Sequence, residues 1–589
     1  MNRFPSLVCG LCCVLINSVF GQQAATRTAE EAARAIVGRV IHETSFDFQS
    51  VPLKPTLDIQ VLDFGRMYGH VTGGTVFALS SIRSDCDTTI AFGLSRDLPL
   101  TITLNGVSVY SALQPAEFKF HEIGYELFRF NDTLRFRLRK GFNSILIKAS
   151  LLNGRNVVYL RELGNPGTKL LASFDLAGVS PELAGKPWRF VGAFKNSGSN
   201  ALAETLPPET GYKTAYLYAD SNFTWRLPPQ SIVSEFRVNS NAAYKRESYA
   251  EWQYPNGTLM LSLLDFAAAA SDTAVNSFVR RYCSFTIDNL PLFRKQYEEL
   301  HAFRGMNHKL IRRGMLDDTG APALPFVELF RAAHDQKVHP LVAEIAEYVS
   351  RGQVRLADGT LCRYEKMPGT VWADDLFMAA PFLVRMGAAT GDSRYFDDAA
   401  KQVVNFNKYL EDARTGLYRH GWYDKEKRQS AVAWGRANGW VVWATAEVLK
   451  FLPASHPLQG QIVRIFRHHL ESIVRFQASS GLWHQVLDRP ESYEETSCTA
   501  MYIIGMARGL RLGILDTSFV IPVQKAWLGL QSRISKDGIV KDICRGTEMS
   551  EDPDYYFKRE RFDNDPRGLG AVITACVEVM MLHAQKDGK

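Results

Sequence analysis

Six short clusters of polar and aromatic residues recur from Glu251 onward, at intervals of roughly 60 residues, and they constrain the fold more than any other feature. They are Trp252-Gln253-Tyr254-Pro255-Asn256-Gly257, Leu316-Asp317-Asp318-Thr319-Gly320, Trp372-Ala373-Asp374-Asp375, Trp434-Gly435-Arg436-Ala437-Asn438-Gly439-Trp440, Glu494-Glu495-Thr496-Ser497 and Asp563-Asn564-Asp565-Pro566-Arg567-Gly568. A run with helical apolar spacing follows each. A second series of marks runs in step: Ser271-Asp272, His334-Asp335, Gly391-Asp392, Ser455-His456 and Leu515-Asp516. Each separates two helices of roughly 15 residues. This is a helical-hairpin repeat, and six hairpins closing into a ring make an (α/α)6 barrel. Clusters sharing one phase of the repeat then gather at one end, each at the N-terminus of an inner helix. About eleven helices can be counted, one short of a ring, so the twelfth is expected to be short or distorted. A single polar and aromatic mouth suits sugar, with aromatic faces for ring surfaces and polar groups for hydroxyls.

The chain before this repeat has another texture. Met1 to Gly21 reads as a signal peptide: Arg3, an apolar run from Leu7 to Phe20, then small Gly21. That implies export, to the periplasm or the medium. Thr26 to His42 reads as an amphipathic helix led by Glu30 and Glu31. From Leu57, short alternating runs such as Thr101-Ile102-Thr103-Leu104 and Arg135-Phe136-Arg137-Leu138 are punctuated by Asn105-Gly106, Lys140-Gly141 and Asn153-Gly154. These predict an antiparallel β-sandwich, jelly-roll-like, over 22–165. The stretches Leu104–Val107 and Lys140–Lys148 resemble galactose-binding-type accessory domains found beside glycosidases. Residues 166–245, with Trp188, Phe190, Trp225 and Pro228-Pro229, predict a β-rich connection, and 246–589 the barrel.

Composition excludes several alternatives. The formal charge of +6 over 589 residues, without a Lys/Arg block, does not describe a nucleic-acid binder. No stretch after the leader is expected to span a membrane. The six cysteines beyond it (Cys86, Cys283, Cys362, Cys498, Cys544, Cys576) are scattered without a CxxC pair, so no zinc site is expected and no pairing is legible. No phosphate loop and no Ser/His/Asp signature stands out, and no cofactor or metal is implied.

The chemistry concentrates around Trp372-Ala373-Asp374-Asp375. Acids at a helix start suit its exposed N–H groups and dipole. A carboxylic acid against an indole wall can also retain its proton near neutrality. The runs Trp372–Met378, Leu417-Tyr418-Arg419-His420-Gly421-Trp422-Tyr423-Asp424 and Trp434–Trp440, in this order and spacing, resemble the unsaturated glucuronyl and rhamnogalacturonyl hydrolases, glycoside hydrolase family 105. The likeness covers about residues 250–589, leaving the front of the chain outside it.

That resemblance implies hydration of the C4=C5 double bond of a 4,5-unsaturated uronic acid at the non-reducing end of lyase-generated oligosaccharides. Asp374 matches the proton donor, first acid after Trp-x. Asp317 or Asp318 matches a second pocket acid, Asp317 being preferred. Asp375 reads either as a substrate contact or as a capping and supporting acid, the latter being favoured. Arg436, between two indoles, has a fork that can hold a uronate carboxylate. His420 is expected as a hydrogen-bonding pocket group, and Trp434, Trp440 and Trp372 either stack on sugar or pack as core. Asn438 and Thr496 are lesser candidates, and His468-His469 are expected to be exposed. Rival readings are an inverting glycosidase using Asp317 and Asp374, a uronate lyase using His420 and Arg436, and a non-catalytic glycan binder.

Overall fold

The computed structural model describes residues 27–69, 72–124, 127–164, 170–178, 183–195, 227–228, 230–364 and 367–586. The leader Met1–Gly21, Trp225 and Pro229 lie outside them. The chain divides into two compact units.

The helical unit takes in the chain up to Gln49, Glu235–Arg294 and everything from Met306. Among the described residues, twelve helices of nine residues or more build it: α1 (Ala29–Glu43), α2 (Tyr254–Ala269), α3 (Thr273–Asp288), α4 (Leu324–Ala333), α5 (His339–Glu347), α6 (Asp374–Thr390), α7 (Ser393–Leu410), α8 (Gly435–Phe451), α9 (Gln459–Val474), α10 (Thr496–Arg511), α11 (Val520–Gln531) and α12 (Pro566–Lys586). The even-numbered helices pack side to side in a closed ring, α2-α4-α6-α8-α10-α12 and back to α2. They are apolar on all sides, as helices buried within a larger fold must be. The odd-numbered helices form an outer layer with one apolar stripe each. The marks between helices are caps: Asp272, Asp392 and Asp516 accept hydrogen bonds from N–H groups of the next helical turn.

The expectation of a short or distorted twelfth helix is corrected here. The missing helix is α1, four full turns long, held by a Thr28/Glu31 capping box and packed on α12. The N-terminal segment thus fills the outer place beside α12. Gly538, at φ +80°, permits the approach: a Cβ there would come 2.3 Å from the Ala35 carbonyl oxygen. The stretch Ala29–Glu43, placed by the sequence in the sandwich of 22–165, therefore belongs to the helical unit, whose later part begins at Glu235 rather than 246. Pro566–Gln585 is long and apolar enough to cross a membrane, and it is so because α12 is an inner helix of the ring.

The β unit comprises Ser50–Ser234 and the excursion Lys295–Gly305. It is a two-sheet antiparallel sandwich. One sheet runs 172–174, 74–84, 141–150, 100–104, 107–112, with 189–195 also on 74–84; the other runs 60–63, 157–162, 88–96, 132–138. Leu134, Phe136 and Leu138 point inward while Arg135 and Arg137 are exposed. Asn105-Gly106, both at positive φ, close a two-residue hairpin. The turns at Lys140-Gly141 and Asn153-Gly154 carry the chain from one sheet to the other. Within this unit His301 bridges Tyr159 and Asp63, and Arg304 grips Glu122 with two nitrogens.

The six cysteines are free thiols, all buried except Cys86.

Candidate active site

All six clusters lie at the N-terminal ends of the inner helices. The site is assembled around a strand, Thr370–Trp372, that leads directly into α6. On one edge it pairs with Gly421–Tyr423, with Trp372 opposite Gly421, and the Ala373 N–H donates to the His420 carbonyl at 3.0 Å. On the other edge Arg363 and Thr370 exchange backbone hydrogen bonds. This register sets His420 and Arg363 on either side of the two aspartates.

Asp374 is the first residue of α6, and its side chain caps nothing. The carboxyl is 14% exposed, and Oδ2 lies 3.3 Å from Nε2 of the fully buried His420. The approach is not aligned as a hydrogen bond, and neither atom has another partner. His420 Nδ1 meets the Tyr556 hydroxyl at 2.7 Å. Its ring is walled by Trp434, at 4.7 Å between centroids, and by the edge of Trp372 at 5.5 Å.

Asp375, one residue on, is fully buried and chelated by Arg363, which also donates to Asp317 Oδ1 at 3.0 Å. The same guanidinium lies 4.7 Å over the Trp372 ring. Asp375 thus touches Arg363 and not open space. Of the neighbouring pair, Asp318 is buried in an ion pair with Arg312 and anchored by the Trp252 indole on its carbonyl, whereas Asp317 keeps 14% exposure. Burial pushes the Asp317 carboxyl above its ordinary range; Arg363 opposes this, and Asp318 and Asp374 add to it.

Arg436 is buried and stacked 4.8 Å over Trp434. Its two terminal nitrogens donate to the Cys544 and Arg545 carbonyls, so the fork expected to grip a carboxylate is committed to backbone, leaving Nε without a partner. Trp440 is buried between Phe377 and Trp443 and meets the Tyr254 ring at 6.2 Å, lining the barrel interior rather than the His420 side. Asn438 ties the 417–420 loop to α8 through both chain directions of Tyr418, and Thr496 caps onto the Lys541 carbonyl. His468 is exposed as expected, but His469 is buried against Tyr418 and Asn438, and burial lowers its pKa to about 3.

Tyr254 was not singled out from the sequence, although its cluster was. Burial pushes its hydroxyl up to about 12; Arg567 and Arg436 pull it down, and Asp317 and Asp374 push it further. The charges that act on it thus come from Asp317, ahead of α4, and from the starts of α6, α8 and α12. Arg363 and Tyr556 were also missed, lying between the clusters. Asp565 is buried, bound to Arg567, and held above the ordinary carboxylate range by burial.

The description of Glycosyl Hydrolase Family 88 matches residues 231–583, and the chain belongs to that family. It is 34% identical over 259 residues, 43% of this chain and 73% of the relative, to the unsaturated rhamnogalacturonyl hydrolase YesR of Bacillus subtilis (strain 168). It is 30% identical over 384 residues, 64% of this chain and 88% of the relative, to the unsaturated 3S-rhamnoglycuronyl hydrolase of Alteromonas sp. (strain LOR). Its fold is similar to the crystal structure of a possible member of the GH105 family from Klebsiella pneumoniae subsp. pneumoniae MGH 78578, with TM-score 0.51 and 21% identity over 58% of this chain and 85% of that one. The chain is a glycoside hydrolase.

Proposed function

We propose that this hydrolase removes a 4,5-unsaturated uronic acid from the non-reducing end of oligosaccharides produced by polysaccharide lyases, by hydrating the C4=C5 bond. The carrying observation is Asp374: a largely sheltered carboxyl at the mouth that keeps 14% exposure, with buried His420 on one side and Asp317 close enough for the two charges to act on each other. The alkene is an enol ether, electron-rich at C4. Asp374 delivers a proton to C4, leaving oxocarbenium character at C5. As a carboxylate it then takes a proton from the water that adds at C5. The resulting hemiketal opens and releases the neighbouring sugar's hydroxyl. One acid that becomes a base suffices, without the two-carboxylate spacing of ordinary glycosidases. Six helix N-termini face the mouth and favour an anionic sugar there, and the Arg436 and Arg567 charges add to that field. The relatives named for rhamnogalacturonyl and 3S-rhamnoglycuronyl substrates support the reading.

The test is ultraviolet absorbance of lyase-generated oligosaccharides. Hydration destroys the conjugated double bond, so absorbance falls. A lyase would create the signal, and an inverting glycosidase would leave it unchanged. Polysaccharide capture by the chain with no turnover of any unsaturated oligosaccharide would favour a glycan binder instead.

A further inference from the structure

We propose that Tyr556 is a positioning residue: its hydroxyl donates to Nδ1 of His420 and so holds the imidazole as the Nε2–H tautomer, aimed at Oδ2 of Asp374. The argument is an allocation of protons. A phenol has one proton and can accept twice. The Tyr556 oxygen already accepts from the Ser550 N–H at 3.0 Å. Its own proton has two destinations, His420 Nδ1 at 2.7 Å and the Ser550 carbonyl at 3.4 Å. Choosing the carbonyl would give a poor hydrogen bond and require the proton on Nδ1. The bare Nε2 lone pair would then face Oδ2 at 3.3 Å, two acceptors with nothing between them. Choosing Nδ1 takes the shorter contact and turns the Nε2 proton rather than its lone pair toward the carboxyl, 3.3 Å away, where a small tilt of the ring or the carboxyl completes the hydrogen bond. The second nitrogen's partner sets the tautomer of a neutral histidine.

The surroundings keep this arrangement in place. Burial holds the Tyr556 hydroxyl far above its ordinary range, so it remains a donor. It sits on a short helix, Pro553–Phe557, capped by Asp552. Just upstream, buried Met549 packs with Trp372 and Tyr423. Gly421 makes room for it, since a Cβ there would come 2.2 Å from the Met549 sulfur. Segment 549–557 is thus fastened to the same strand pair that carries His420. The consequence lies at Asp374. Oδ2 is closed to solvent while the side chain is partly open, so holding Oδ2 on an N–H leaves Oδ1 as the oxygen that exchanges the proton.

The kinetic part rests on the proposed hydration; the tautomer does not. Imidazole nitrogen NMR on the full, substrate-free protein reads it directly, with His420→Asn identifying the signal by its loss. An Nε2–H resonance with Nδ1 accepting is expected, and Nδ1–H in the wild type overturns the proposal. In Tyr556→Phe, the His420 signal should move toward a tautomer mixture, with kcat falling roughly tenfold, the worth of one hydrogen bond, and KM within about twofold. Unchanged kcat with an unchanged tautomer would overturn it. Absence of turnover by the wild type on every unsaturated oligosaccharide would defeat the proposed reaction and leave the NMR result standing.

Discussion

The two ends of the same six inner helices treat charge in opposite ways. Below the mouth each inner helix contributes a charged residue to one layer, about three turns or about 17 Å from the helix start on all but the shorter α4. They are Asp265, Glu328, Arg385, Glu447, Arg508 and Glu578, one each from α2, α4, α6, α8, α10 and α12. Arg385 joins Glu328 at 3.0 Å and Glu447 at 2.7 Å. Arg508 binds Glu447 and, at 2.7 Å, Glu578, which also takes Arg511. Burial would raise the Glu447 carboxyl, but Arg508 and Arg385 outweigh it and hold it well below its usual range. At the mouth, Asp317 and Asp374 keep exposure, one raised by burial and the other with an atom unpartnered. The closed end pairs its charges to lock neighbouring helices together. The open end leaves carboxyls imperfectly paired, where a proton can be exchanged. Stability and chemistry are therefore separable along one helix.

Substitution tests that separation. Asp374→Asn is expected to lower kcat by about 10³- to 10⁴-fold on an unsaturated oligosaccharide, while chemical unfolding moves by less than about 0.5 kcal/mol. Near wild-type turnover would remove Asp374 from the role. Glu447→Gln should do the reverse: it strands Arg385 and Arg508 in the interior and costs about 4 kcal/mol, with KM of the folded fraction unchanged. Because the folded Glu447 pKa is depressed, its contribution is present above the unfolded value of about 4.3 and fades as pH falls below it. The variant and wild-type stabilities should converge in acid. Asp375→Asn brings the contrast within one dipeptide. Its neighbour is the proposed proton donor, but Asp375 itself chelates Arg363, so the variant should lose about 3 kcal/mol of stability. A stability loss under about 1 kcal/mol would return Asp375 to the list of substrate contacts.

How far the sequence reaches follows the same contrast. The barrel was legible because its period repeats every hairpin, and clusters at one phase must share an end. The partner of α12 was not, because in chain order the whole β unit separates α1 from the repeat and no local period connects them. Asp374 and His420 were legible as types in a motif, but their 3.3 Å approach depends on the pairing of Trp372 with Gly421, a register that no spacing states. Arg436 illustrates the limit: its guanidinium between two indoles invited a carboxylate, yet the Cys544 and Arg545 carbonyls, more than a hundred residues on, occupy its fork. The ionic layer left a trace too. Each apolar run is broken by a charge, as in Leu263-Leu264-Asp265-Phe266 and Val384-Arg385-Met386. A single charge on a helix ordinarily reads as its solvated face; only the closure of the ring turns six of them inward together.

Asp265 is the weak member of that layer and gives the smallest, most discriminating test. Its closest cation is Lys450 at 3.9 Å, and Oδ2 has no partner. Burial raises its pKa, with Lys450 opposing and Glu447 adding to the rise. A carboxyl whose folded pKa lies above its unfolded value favours folding at low pH, and that contribution is lost as pH rises through the folded value. At neutral pH the ionised group is therefore a burden that Asn cannot carry. Asp265→Asn is expected to raise stability by about 1 kcal/mol at pH 7 to 8, with the gain shrinking toward zero below about pH 4. Urea unfolding across that range reads both size and slope. A loss at neutral pH would mean that Lys450 and the two arginines already satisfy Asp265, so that the layer is a complete ring of six rather than five paired members and one held by its helix.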